Sequence, residues 1–176
     1  NLNIIKKHNH IYFRFNNDLI LIYNDVRRFG FFKLYETTKL NKIKFIKKIG
    51  PEPFSKIFNI KYFDEFTKNK KKNIKNLLMD QTFVSGLGNI YVNEALFMSK
   101  IHPLRLCNCL DKNEKKILIF NIKKILRFSI SKGGSSIKDF ENTLGETGSF
   151  QQFFHVYERK NKNCSRISCK GKIRKI

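Results

Sequence analysis

Alternation of apolar and polar side chains marks the first part of the chain. Ile11 to Phe15 alternates, Asn16-Asn17-Asp18 supplies a turn, Leu19 to Tyr23 is a short apolar run, and Arg27 to Tyr35 follows Asn24-Asp25. This pattern predicts a three-stranded antiparallel meander over residues 11 to 35. A sheet that small has a face to bury and little independent stability, so further strands are expected, upstream of Asn1. Gly50-Pro51-Glu52-Pro53 then interrupts every periodicity, because two prolines so close fit neither a helix interior nor a central strand, and it is read as a domain boundary.

Beyond that boundary the spacing turns helical. Tyr62, Phe63 and Phe66 begin one helix, and Ile74, Leu77 and Leu78 open a second that leads into Gly86-Leu87-Gly88. Ile90, Tyr91, Ala95, Leu96 and Met98 mark a third, which His102-Pro103 is expected to stop. Asp111 or Asn113 caps a long helix from about Glu114 to Lys132, with Ile117, Leu118, Phe120, Ile122, Ile125, Leu126 and Ile130 as its apolar face, and Gly133-Gly134 ends it. Ser135 or Ser136 starts a short helix through Ile137 and Phe140. Residues 142–150 read as a flexible loop, and the aromatic stretch FQQFFHVYERK after it has no clear period.

Charge changes the picture more than composition does. With 36 Lys and Arg against 14 Asp and Glu, the 176 residues carry a formal charge of +22, which favours a polyanionic partner: DNA, RNA or an acidic membrane surface. Heavy use of Lys, Asn, Ile and Phe fits an A/T-rich coding sequence, so where the charge sits says more than its total. No apolar run of about eighteen residues and no signal-peptide layout is present, which predicts a soluble, cytoplasmic protein. Cys107/Cys109 and Cys164/Cys169 lack the look of a secreted disulfide framework.

Five features are weighed for chemistry. The turn Gly86-Leu87-Gly88 points a helix start outward at Asn89, where unpaired N–H groups make a phosphate seat; Asn89 either caps the helix or donates to the phosphate, and an ordinary inter-helix connection is the competing reading. The basic run Lys68 to Lys72 lies shortly before it, as a solvated face or a backbone contact. Arg27 and Phe29 share one side of a strand, so a cation and a ring could together fill a gap in a base stack, or stand as a solvated Arg beside a core Phe. His8 and His10 read as solvated loop residues. Cys164 and Cys169, four residues apart, offer two ligands to zinc where a structural site needs four; Cys107 and Cys109 are the remaining thiols.

Taken in order, IKNLLMDQ, VSGLGNIYVNEALFMSKIHP, SKGGSSIKDF and FQQFFHVYERK, with HNH, NDVRRFGFFKLY and IGPEPF before them, closely resemble the formamidopyrimidine-DNA glycosylase family of bacterial repair enzymes over nearly the whole chain. The resemblance implies an α+β protein: part of an N-terminal antiparallel β-sandwich (1–50), a linker (51–58), a helix–two-turns–helix DNA-binding domain (59–156) and an incomplete zinc ribbon (157–176). It implies a monomer acting on damaged double-stranded DNA near the nucleoid, with one zinc ion per chain held in part by Cys164 and Cys169. It makes His8, Arg27 and Lys70 DNA contacts, Lys75 and Asn89 phosphate contacts, Phe29 the wedge beside the orphaned base, and Thr147, Gly148, Ser149 and Phe150 the loop over the everted base. Glu94 lies in the helix of the motif, with structural and catalytic roles both open.

In the family an N-terminal proline amine attacks the sugar C1′ and a neighbouring glutamate handles protons, which gives glycosylase and abasic-site lyase activity on oxidised purines. This sequence departs from the pattern in having no Pro-Glu start, no upstream lysine-bearing hairpin and no second half of the zinc ribbon, so no catalytic residue is assigned in this chain. A non-catalytic remnant that binds damaged DNA, and a basic ribosomal or RNA-binding protein, are the alternatives.

Overall fold

The computed structural model describes residues 7–135 and 147–176, arranged as two compact units, Asn1–Leu40 and Asn41–Ile176. In the first, strands β1 (Asn9–Arg14) and β2 (Ile20–Asn24) pair antiparallel, Ile11 facing Tyr23 and Phe13 facing Leu21. The expected turn closes them: Asp18 takes a left-handed conformation at φ +61° and its N–H meets the Phe15 carbonyl at 3.2 Å.

The third strand of the expected meander does not form. Asp25 collects on its carboxylate the N–H groups of Arg27, Arg28 and Gly30, and Arg28 turns left-handed at φ +57°, so the first donors that a ladder would use are spent within the loop and the chain leaves extended geometry there. Beyond the loop, Phe32 packs on the hairpin with its ring centroid 4.6 Å from Tyr23 and 5.5 Å from Phe13. Among the described residues the sheet is a two-stranded hairpin.

The second unit is helical. After a 3₁₀ turn over Thr37–Lys42 come α1 (Lys44–Lys47), α2 (Ile60–Thr67), α3 (Ile74–Leu78), α4 (Asn89–Met98) and α5 (Lys112–Ser131). Asn59 and Asn73 cap α2 and α3 by accepting from the N–H of Tyr62 and Asn76. Of the two candidates for α5, Asp111 is the cap, and with Glu114 it closes a reciprocal capping box at 2.8 and 2.9 Å.

Helix α4 stops before His102-Pro103. The Ile101 N–H reaches back to Leu96 O and the Lys100 N–H to Phe97 O, with Lys100 left-handed at φ +58°, a Schellman ending that buries Ile101 in the core beside Leu96.

The face of α5 is narrower than its apolar residues suggest. Leu118, Ile122 and Ile125 are buried, while Ile117, Phe120 and Ile130 face outward. Polar residues complete the inner face: Lys115 reaches Asp64 at 2.7 Å, Asn121 donates to Ser99 Oγ at 3.0 Å, and Ser129 pairs with Tyr91 at 2.8 Å.

An aromatic cluster centres the core. Phe83 touches Phe58, Phe63 and Phe66 at 4.8–5.9 Å and stacks on Tyr62 at 5.7 Å, and each fully buried ring contributes about 1.5–3 kcal/mol. Gly50 lies against this cluster so closely that a Cβ there would come 2.6 Å from the Phe83 carbonyl carbon; its N–H donates to Gln81 O, and Pro51 O accepts from Ser85. Of the short helix expected from Ser135 or Ser136 through Phe140, Ser135 is described and forms a bridge with Ser149; the rest, and residues 142–146 of the expected loop, lie outside the described residues. Where the chain is described again, Ser149 and Phe150 hydrogen-bond to Lys132 O and Gly134 O, and residues 161–173 fold back on themselves through Asn161 to Ile173 and Cys164 to Gly171.

Candidate nucleic-acid interface

The first unit presents one loop. Asp25 Oδ1 accepts from Arg27 N–H (3.1 Å) and Arg28 N–H (2.8 Å), and Oδ2 accepts from Gly30 N–H (2.8 Å) and the Tyr23 hydroxyl (2.9 Å). These donors, Gly30 foremost and then Tyr23, hold the Asp25 carboxyl below its usual range, and the same contact pushes the Tyr23 phenol up. The backbone of Asp25 is tied as well, its N–H to His8 O and its carbonyl to His10 Nε2, so His10 is a loop fastener and not simply solvated. Phe29 stands at the tip, 83% exposed, with Arg27 exposed beside it. Sequence reading singled out Arg27 and Phe29 but missed Asp25, whose signal is an Asx residue directly before a turn.

The second unit contains a cleft of about 1030 Å³. Lys75, Asn89 and Lys100 line it together with Arg166, Lys172 and Arg174 of the C-terminal segment, and Glu158 adds a carboxylate. Lys75 and Asn89, which the resemblance pairs as phosphate contacts, thus line one surface. The glycine turn is held from behind by Gln81, which accepts from Gly86 N–H (2.8 Å) and donates to Leu87 O (3.0 Å), while Gly86 and Gly88 have open space where a Cβ would go.

Asn89 is not the helix cap. Gly88 takes that position without a side-chain bond, and Asn89 is the exposed first residue of α4. Asn93 Nδ2 donates both to Asn89 O (2.7 Å) and to Asn89 Oδ1 (2.9 Å). A backbone carbonyl only accepts, so the group shared by both contacts is the Asn93 amine, and the Asn89 amine is the end left to donate. That orientation suits an anionic ligand.

Lys70 does not line this cleft; its ammonium sits 3.2 Å from the Phe66 ring centroid. Lys72 pairs with Asp80 at 2.9 Å, and that bond, followed by those from Thr82, lowers the Asp80 carboxyl to about 2. Glu94 is fully buried and accepts three backbone N–H groups at 2.8 Å, His155 on Oε2 and Val156 and Tyr157 on Oε1. Its role is structural: it fastens the C-terminal segment to α4. Phe97, one turn on, carries Arg166 over its ring at 4.2 Å and His155 stacked at 5.7 Å, and Arg166 also donates to Phe97 O.

Of the loop from Thr147 to Phe150, Thr147 is exposed and Gly148 buried; a Cβ on Gly148 would lie 2.1 Å from Gly134 O. Phe150 is a core residue, packed among Tyr91, Phe128 and Phe154.

Cys164 and Cys169 sit together on a turn. The Gly171 N–H, then the Cys164 thiol and nearby Arg166, pull the Cys169 thiol below its ordinary range, which favours a thiolate ligand. Two thiols fit half of a tetrahedral zinc site, and among the described residues no cluster of three or more His, Cys, Asp or Glu completes it. Cys107 does not contribute: it is buried, with its thiol on Lys70 O. Among the described residues no helix is long and apolar enough to cross a membrane.

Residues 49–141 match the family model described as "Formamidopyrimidine-DNA glycosylase H2TH domain". The chain is 45% identical over 163 residues to a formamidopyrimidine-DNA glycosylase of Streptococcus agalactiae, covering 93% of this chain and 60% of the relative, and 44% identical over 160 residues to that of Oceanobacillus iheyensis, covering 91% and 57%. It therefore spans about three-fifths of the length of these curated relatives. Among solved structures it is similar to Lactococcus lactis Fpg in complex with DNA containing an abasic site (TM-score 0.86, 42% identity, 98% of this chain and 62% of that one). It is also similar to MutM in complex with DNA containing carbocyclic 8-oxo-G (TM-score 0.85, 42% identity, 98% and 61%). With a family-specific helical domain over more than half of its residues and this likeness along nearly all of them, the chain belongs to the formamidopyrimidine-DNA glycosylase family.

Proposed function

We propose that this chain is the DNA-gripping portion of a base-excision repair enzyme, a bifunctional glycosylase and abasic-site lyase that removes oxidised purines such as formamidopyrimidine and 8-oxoguanine from duplex DNA. The observation that carries the reading is the meeting of Lys75 and Asn89 on one basic cleft, with Asn89 turned to donate. The names of the relatives, and the damaged DNA bound by the structural neighbours, support it.

An oxidised purine is out of reach inside the stack, so the nucleotide must be turned out at a cost of a few kcal/mol, which backbone contacts and a wedge offset. On this reading Lys75 and Asn89 hold the phosphates beside the extruded nucleotide, and Phe29 with Arg27 fills the space it leaves. His8 and Lys70 add backbone contacts, and the loop Thr147 to Phe150 belongs to the cover over the base, with Phe150 as its anchor in the core. No bond-breaking role is assigned to a residue of this chain; that chemistry belongs to the family's proline and glutamate pair.

The finer architecture is part of the proposal: residues 1–50 as part of a β-sandwich, 51–58 as linker, 59–156 as the helix–two-turns–helix domain and 157–176 as part of a zinc ribbon. Cys164 and Cys169 would supply two of the ligands to one zinc ion, which when bound would cross-link the turn. Damaged duplex DNA is the partner, the protein acts as a monomer, and the compartment is the bacterial cytoplasm at the nucleoid.

Competition binding tests this directly. Fluorescence anisotropy with a duplex bearing a tetrahydrofuran abasic analogue, competed by undamaged duplex and by an RNA hairpin, should show preference for the abasic duplex and a steep loss of affinity with salt. Preference for the RNA would overturn the reading. Borohydride trapping on an 8-oxoguanine duplex should give no covalent adduct with this chain; an adduct would move the bond-breaking step into it.

A further inference from the structure

We propose that Asp25 is the positioning residue of the wedge: a single carboxylate that holds Phe29 and Arg27 in the geometry in which they enter the helix. The proposal rests on the DNA-binding reading above and deepens it. Phe29 is 83% exposed, so packing against the protein cannot orient it. What shapes the loop is hydrogen bonding to Asp25, which accepts from Arg27, Arg28 and Gly30 N–H and from the Tyr23 hydroxyl. Phe29 lies between two of those anchor points, so its Cα is fixed on both sides while its ring stays free.

The arrangement leaves little tolerance. Arg28 is held left-handed at φ +57°, a conformation that a residue with a side chain adopts at a cost and that the anchors on either side maintain. Gly30 approaches so closely that a Cβ would stand 1.8 Å from the Tyr23 hydroxyl oxygen. The Asp25 backbone joins the same assembly to His8 O and His10 Nε2. Two proposed DNA contacts, Arg27 and Phe29, therefore depend on one side chain that need not touch DNA, and a third, His8, is tied to the backbone of the same residue. A loop preset in this way spares the ordering cost of binding, the general benefit of preorganisation.

The test uses a duplex with a tetrahydrofuran abasic analogue and 2-aminopurine as the opposite base, whose fluorescence rises when a wedge unstacks it. Asp25→Asn keeps the size but places an amine against at least one of the donors. We expect it to lower the fluorescence rise about tenfold, the worth of one charge-assisted hydrogen bond, with the far-UV thermal melt unchanged. Gly30→Ala, which keeps the carboxylate but forces Tyr23 away, should give the same loss. In affinity, Asp25→Asn should cost much less on a Phe29→Ala background than on wild type.

Wild-type fluorescence from Asp25→Asn, or an equal loss of affinity on both backgrounds, overturns the proposal. The wider reading fails by a different pattern. If wild type does not bind the abasic duplex, or Phe29→Ala leaves the fluorescence rise intact, the wedge itself is wrong and the role of Asp25 falls with it.

Discussion

Replacing Glu94 by Gln isolates a single buried contact that joins two distant parts of the helical unit. The glutamine is isosteric, but it has one oxygen where Glu94 uses two to accept from His155, Val156 and Tyr157 N–H. Its best orientation keeps the oxygen towards Val156 and Tyr157, so two charge-assisted bonds become neutral, at about 1 kcal/mol each. Its amine then faces the His155 N–H, leaving a buried donor unsatisfied at about 1–2 kcal/mol more. The sum is about 3–4 kcal/mol, a large part of the 5–15 kcal/mol typical of a domain. Urea unfolding followed by far-UV circular dichroism should show the midpoint fall by roughly 2 M with the slope unchanged. Glu94→Ala should lose more, since all three donors lose their acceptor. A loss below about 1 kcal/mol for Glu94→Gln would refute the reasoning, because it would mean that residues 155–157 are not fastened to α4 through this side chain.

Other variants probe separate features. Asn89→Ala should weaken abasic-duplex binding by about 1.5–3 kcal/mol, measured by anisotropy across a salt series, and equal affinity for both proteins would remove Asn89 from the interface. Lys100→Gly relieves the left-handed φ at the end of α4 and should stabilise the DNA-free protein by about 0.5–1 kcal/mol in urea, after the entropic cost of glycine. The depressed Asp80 carboxyl gives stability that is complete above about pH 4 and drains away as pH falls towards 2. Asp80→Asn should remove that part of the acid dependence, about 1 kcal/mol for so solvent-screened a pair, as read from urea midpoints between pH 2 and 5.

Local signals were legible where local physics decides. The period of apolar residues located α2 and α3, the glycine turn located the start of α4, whose buried residues Val92 and Glu94 lie off the expected face, and Asp111 with Glu114 three residues on is a capping signature that the structure uses as written. The apolar face of α5 misled because Ile and Phe are so frequent here that they also fall on the solvent side, as Ile117, Phe120 and Ile130 do. The residues that replace them inside, Lys115, Asn121 and Ser129, have partners 51, 22 and 38 positions away, beyond any window of periodicity. The missing third strand has the same kind of cause: Arg27 to Tyr35 has strand-like composition, and one aspartate diverts its donors. At the candidate interface, the glycine turn singled out Asn89 and the family resemblance Lys75, but the bonds of Gln81 behind the turn, of Asn93 to Asn89 and of Glu94 to the C-terminal segment are ones that sequence alone does not display.

Helix α4 carries three obligations on ten residues: Asn89 at the cleft, Glu94 inside, and Phe97 under Arg166. Inserting or deleting one residue between Asn89 and Glu94 would swing the two apart by about 100° around the axis, so that only one of them could keep its place. The interval of five is therefore a fixed gauge: any change in its length uncouples the residue turned to the cleft from the part that holds the tail.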